Sequence, residues 1–91
     1  MLRKELLITN KLGLHARASA KLVNTAARFR SKIEVYKDNP HKRVNAKSIM
    51  GIMLLAASQN TTLHFIADGE DEAEAMQAII DLIHDKFGEK E

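Results

Sequence analysis

The sequence predicts a two-layer α+β domain in the order β-α-β-β-α-β-α. Three observations carry that prediction. Segments at residues 2–8, 31–37 and 61–67 alternate apolar and polar side chains, the pattern of strands with one buried and one wet face. Segments at 16–29 and around 76–87 repeat apolar residues at spacings of three and four, the pattern of amphipathic helices. A third run, at 46–58, is apolar and of helical length. Strands with a wet face favour antiparallel pairing, and helices then cover the other face. Ninety-one residues suit one domain, expected to span 1–91, near the small end of what folds unaided.

The first strand comes from Leu6 and Ile8, which alternate with polar neighbours. "TNKLG" is loop chemistry ending at Gly13. From Ala16 to Phe29 the apolar stripe is Leu22, Val23, Ala26, Ala27 and Phe29. The opposite stripe is Arg17, Lys21, Asn24 and Arg28, polar and mostly cationic. "SKIEVYK" puts Ile33 and Val35 on one face and Lys32, Glu34 and Tyr36 on the other. "DNPHK", with the one proline at Pro40, is a turn, and residues 42–45 complete a hairpin. "AKSIMGIMLLAAS" reads as a helix interrupted by Gly51, with Ile52, Leu54 and Leu55 in the core. "TTLHFIA" faces Leu63, Phe65 and Ala67 inward. The last helix carries Met76, Ile79, Ile80, Ile83 and Phe87 on one side. Glu70, Asp71, Glu72 and Glu74 crowd its amino end and Lys86 its carboxyl end, as the helix dipole favours.

Composition narrows the function classes. With 45% hydrophobic residues but only 4% aromatic, the core must be Leu, Ile, Val, Ala and Met. There is no cysteine, so neither a disulfide nor a thiolate zinc site supports the fold. Arg3, Lys4 and Glu5 interrupt the amino-terminal segment, which reads as neither a signal peptide nor a membrane span, so a cytoplasmic protein is expected. The formal charge of +2 and the widely spaced Phe29, Tyr36, Phe65 and Phe87 argue against a nucleic-acid binder. A modest basic face suits an acidic protein partner better. His41, His64 and His84 are too far apart in sequence for a local metal motif, and no cofactor or metal is expected.

His15 is the candidate reactive group. A helix that starts near Ala16 places it at the cap, where backbone N–H groups have no partner within the helix and anions are favoured. A neutral imidazole has a nitrogen lone pair that can attack phosphorus. Once the phosphoryl group is attached, the free N–H groups and Arg17 face its oxygens. Gly13 permits a bend that presents the ring, and Ala16 and Ala18 leave room for another protein to approach. Residues two apart do not share a helix face, so Arg17 can assist only if His15 lies outside helical geometry. From these residues alone, a surface histidine that happens to precede a helix is the competing reading, because His is not a favoured cap.

"LGLHARASAKLVNTA" together with "VNAKSIMGIMLLAAS" resembles the HPr family, the histidine-containing phosphocarriers of the bacterial phosphotransferase system. The resemblance covers essentially the whole chain. It implies an open-faced β-sandwich, a four-stranded antiparallel sheet covered on one face by three helices. It implies that His15 receives a phosphoryl group on Nδ1 from enzyme I, which draws it from phosphoenolpyruvate with Mg²⁺. The group then passes to an EIIA-type acceptor, so the chain is a carrier and not an enzyme. Arg17 takes the place of the family's phosphoryl-stabilising arginine. Ser48 takes the place of the serine phosphorylated in some bacteria by a dedicated HPr serine kinase/phosphorylase. A monomer is expected.

Two readings of the second motif stay open at this level. Asn45 or Ser48 can simply cap the helix, or Ser48 can be a switch whose added charge, about −1.5 to −2, repels an acidic partner. Ile49, Met50 and Met53 can pack the core. They can equally form an exposed, adaptable docking patch flanked by the basic residues Arg17, Lys21 and Arg28, with Ala16 beside it. The chain departs from the usual family pattern at "HARAS", where Ala18 and Ser19 replace Pro-Ala, and in a slightly longer "YKDNPHKRVN" turn. Loss of the proline costs some rigidity in the first turn and removes no chemistry.

Overall fold

A computed structural model describes residues 1–39 and 41–91, so Pro40 lies outside the described residues. The elements are β1 (Leu2–Leu7), α1 (Ala16–Ala27), β2 (Lys32–Lys37), β3 (Val44–Asn45), α2 (Ile49–Leu54), β4 (Thr62–Asp68) and α3 (Glu72–His84). A single 3₁₀ turn, Lys86–Gly88, follows. The strands form one antiparallel sheet in the order β1-β4-β2-β3.

That order explains why the helices share a face. β4 lies between β1 and β2, and β2 lies between β3 and β4. Each of α1 and α2 therefore crosses over one intervening strand to join two strands that run the same way. Such crossovers are right-handed in nearly every protein. The two units run in opposite senses within the sheet plane, so right-handedness puts both helices on the same side.

The register then places the core. Ile33 pairs with Ala67 and Val35 with Phe65, while Leu6 sits opposite Leu63. All six are buried, and they merge with Leu22 and Ala26 of α1, Ile52 of α2, and Met76, Ile79 and Ile83 of α3. On the wet face Tyr36 stacks on His64 with ring centroids 4.8 Å apart, and His64 Nε2 shares a hydrogen bond with Asp38 at 2.7 Å. Ile66 also points to that face yet is buried, between its cross-strand neighbours Arg3 and Glu34. The stems of such long charged side chains cover apolar surface while their heads stay wet.

Several sequence expectations need correction. α1 ends at Ala27, so Phe29 packs against the core from beyond the helix, and Ala27 is exposed. α2 is only six residues long; Gly51 lies inside it, and the chain leaves the helix at Ala56, whose φ is +49°. Leu54, expected in the core, is 74% exposed, because so short a helix buries only Ile52 fully. α3 stops at His84. Phe87 reaches the core through a chain reversal, with Lys86 and Phe87 at φ of +54° and +57°.

Asp71 fastens α3 to the turn before β2. Its carboxylate accepts hydrogen bonds from the N–H groups of Arg30 and Ser31 and from the Ser31 hydroxyl. These bonds, the hydroxyl's first, pull its carboxyl down from the usual 3.8 to about 2. A pKa depressed on folding stabilises the fold above the unfolded value, and that contribution disappears as the pH falls toward the folded value. Asp71→Ala should therefore lower the melting temperature at neutral pH. Melting curves over a pH series should show the difference from the parent shrinking between about pH 4 and pH 2.

Candidate functional site

The loop before α1 is built backward from the segment after α2. Leu14 N–H donates to the Ala57 carbonyl at 2.8 Å, and Gly13 N–H donates to the Asn10 carbonyl at 3.1 Å. Gly13 has φ of +65°, and a Cβ there would lie 2.6 Å from the Ala57 oxygen and 2.7 Å from Ser58 Cα. Only glycine fits this close approach. The chain then passes through His15 in an extended conformation, φ −74° and ψ 179°, and enters α1 at Ala16. Ser19 locks that entry: its N–H donates to the His15 carbonyl and its buried hydroxyl to the Leu14 carbonyl.

His15 therefore stands at the cap position and outside the helix, as assistance from Arg17 requires. Its side chain makes no capping bond. The N–H groups of Ala16, Arg17 and Ala18 have no acceptor among the described residues. The ring is half-buried, with 30% of its side chain accessible. It lines a shallow surface hollow with Leu12, Ala16, Arg17 and Glu89. Arg17 is exposed and has no hydrogen bond or ion pair with a described residue, so its guanidinium is available to an anion.

One partner of His15 had no local signal in the sequence. His15 Nε2 bonds Glu89 Oε2 at 2.5 Å across 74 residues of chain, and Glu89 Oε1 accepts from buried Asn10 Nδ2 at 2.9 Å. The segment that brings Glu89 here is anchored by buried Phe87, whose carbonyl accepts from Lys21 Nζ at 2.6 Å, and by Lys11 N–H donating to the Glu91 carbonyl. The two left-handed residues cost roughly 1–2 kcal/mol each. Burying a phenylalanine returns about 1.5–3 kcal/mol, so the polar bonds decide whether the segment stays docked.

Other expected site residues are spread over the surface. Ile49, Met50 and Met53 are exposed on α2, Met50 by 68%, and Leu12 and Leu54 add to the apolar surface. Ser48 Oγ accepts from Gly51 N–H at 3.1 Å and so caps α2, while Asn45 Oδ1 accepts from Lys47 N–H. Lys21 is engaged with Phe87. Arg28 caps the far end of α1, about 20 Å from His15 along the helix, and lines a hollow with Asp81 of α3 and Asp85 just beyond it. The structure does not bring Arg28 to the histidine.

Fold and site together describe a small open-faced sandwich that presents one imidazole beside free helix amides and an arginine. Comparison with known proteins agrees. Residues 2–85 match the family described as "PTS HPr component phosphorylation site". The chain is 55% identical over 89 residues to the phosphocarrier protein HPr of Xylella fastidiosa strain 9a5c, covering 98% of each chain. It is 54% identical over 91 residues, the whole of both chains, to HPr of Neisseria meningitidis serogroup A. It also resembles the crystal structure of HPr-C-His from Thermoanaerobacter tengcongensis, with a TM-score of 0.94 and 53% identity over all of both chains. The chain belongs to the HPr family, the phosphocarriers of the phosphotransferase system.

Gly13→Ala tests how the histidine is held. The left-handed backbone alone costs about 1–2 kcal/mol, and the contacts it would violate are backbone atoms that cannot swing aside. Urea unfolding should show a loss of more than about 2 kcal/mol.

Proposed function

We propose that His15 is the phosphoryl acceptor and donor of this carrier. It is loaded by phosphorylated enzyme I, which takes the group from phosphoenolpyruvate, and it passes the group to an EIIA-type protein. The observation that supports this most is the extended backbone at His15. It puts the ring in the same hollow as Arg17, beside three first-turn N–H groups that have no acceptor among the described residues. As phosphorus bonds to the ring, those amides and the guanidinium neutralise its oxygens, and they are in place before reaction. Solvent reaches the site, so their effect is smaller than in a dry active site.

Docking falls to the exposed Ile49, Met50 and Met53 of α2, and small Ala16 leaves the ring approachable. Unbranched methionines adapt to partners of different shape, which suits a carrier that meets a donor and an acceptor in turn. Both partners need this face, so the working species is a monomer in the cytoplasm, built as a single phosphocarrier domain. Phosphorylation of Ser48 by an HPr-type serine kinase would add about −1.5 to −2 charge next to this surface and weaken docking of acidic partners. Lys21 and Arg28 supply positive charge along α1 and act on association rate more than on the chemistry.

Incubation with phosphoenolpyruvate, enzyme I and Mg²⁺ should add one acid-labile phosphate, seen by mass spectrometry. His15→Ala should abolish it; a variant that still takes up acid-labile phosphate would refute the assignment. Arg17→Ala should retain the phosphate but slow its acquisition by on the order of tenfold. That is less than the roughly 10²–10³-fold effect of a buried oxyanion donor, because water screens the site.

A further inference from the structure

We propose that Glu89 is the positioning residue that holds His15 with Nδ1 as its nucleophilic nitrogen, an inference that rests on His15 being the phosphoryl acceptor. In a neutral imidazole one nitrogen carries the proton and the other the lone pair, and the partner of one decides the role of the other. The only hydrogen-bond partner of the ring among the described residues is the Glu89 carboxylate on Nε2.

Glu89 is fixed from both sides. Oε1 is held by Asn10 Nδ2, itself anchored through the Gly13 carbonyl at 2.9 Å, and Oε2 faces the ring. Burial pushes the Glu89 carboxyl up, but the bonds from Asn10 and His15 outweigh it and leave it below the usual range. It is therefore a carboxylate at neutral pH, able only to accept. The proton must lie on Nε2, and the lone pair on Nδ1.

The same arrangement serves both directions of transfer. As the Nδ1 lone pair bonds to phosphorus, the bond from phosphorus to the donor's leaving atom breaks and its electron pair stays on the donor. The ring becomes cationic while keeping its Nε2 proton, and the Glu89 carboxylate offsets that charge, as a carboxylate does for a catalytic imidazole elsewhere. On donation the N–P bond breaks, its electron pair returns to Nδ1, and the ring is neutral again with the same proton on Nε2. No proton moves in either step.

Glu89→Gln isolates this role. The glutamine has one oxygen for two donors, Asn10 and His15. With the oxygen toward Asn10, its amide donates to Nε2 and drives the proton to Nδ1. In ¹⁵N NMR of the full chain, the parent should show a pyrrole-type Nε2 and a pyridine-type Nδ1, and its phosphorylated form should carry phosphorus on Nδ1. Glu89→Gln, with folding checked by thermal melting, should show a mixture of ring tautomers. Its rate of phosphorylation by enzyme I should fall roughly 10- to 100-fold. A parent with its proton on Nδ1 overturns the proposal, as does a variant that changes tautomer without rate, rate without tautomer, or neither. Failure of the parent to take phosphate on His15 instead overturns the function itself, and the tautomer spectrum of the unphosphorylated protein separates the two failures.

Discussion

The site depends on a backbone constraint at Gly13. Because that residue turns in the left-handed region hard against Ala57 and Ser58, the chain is forced away from the sheet and then through an extended His15 before it can coil into α1. A helix that began one residue earlier would consume the Ala18 amide, which has no acceptor among the described residues, and carry the ring onto a regular helix face. The Leu14 hydrogen bond to the Ala57 carbonyl and the Ser19 bonds to Leu14 and His15 hold that boundary in place. In this chain Ser19 supplies two polar ties to a first turn that has no proline to stiffen it.

The sheet order fixes where those pieces meet. β4 between β1 and β2, with β2 between β3 and β4, interlocks two crossovers and sends α1 and α2 to one side. The loop before α1 then lies against the segment after α2, so the apolar surface of α2 and the histidine belong to neighbouring parts of one face. α2 can expose Ile49, Met50, Met53 and Leu54 at little cost to the core, because it is anchored through Ile52 and by the Ser48 cap. Shortness is what frees its side chains.

The segment after α3 is held less firmly than the sheet. Its apolar anchor, Phe87, is set against two left-handed residues of similar cost, and its remaining ties are polar contacts: one each from Lys21, Asn10 and His15, and two from Lys11 to Glu91. Its polar bonds reach the most chemically active part of the molecule, and its apolar anchor reaches the core.

By itself the sequence determined the α+β class, the order of elements, the faces of β2 and β4, and His15 at a helix entrance with Arg17 two residues on. Those are local properties: alternation, three-and-four periodicity and cap position depend on neighbours within a few residues. Ser48 as a cap was legible for the same reason. Only the tertiary structure decided that Leu54 faces water, that Phe87 is buried from outside its helix, that Arg28 sits far from the histidine, and that Glu89 and Asn10 meet His15. Those outcomes depend on where the chain stops being regular and on contacts across as many as 79 residues, for which a linear pattern carries no signal.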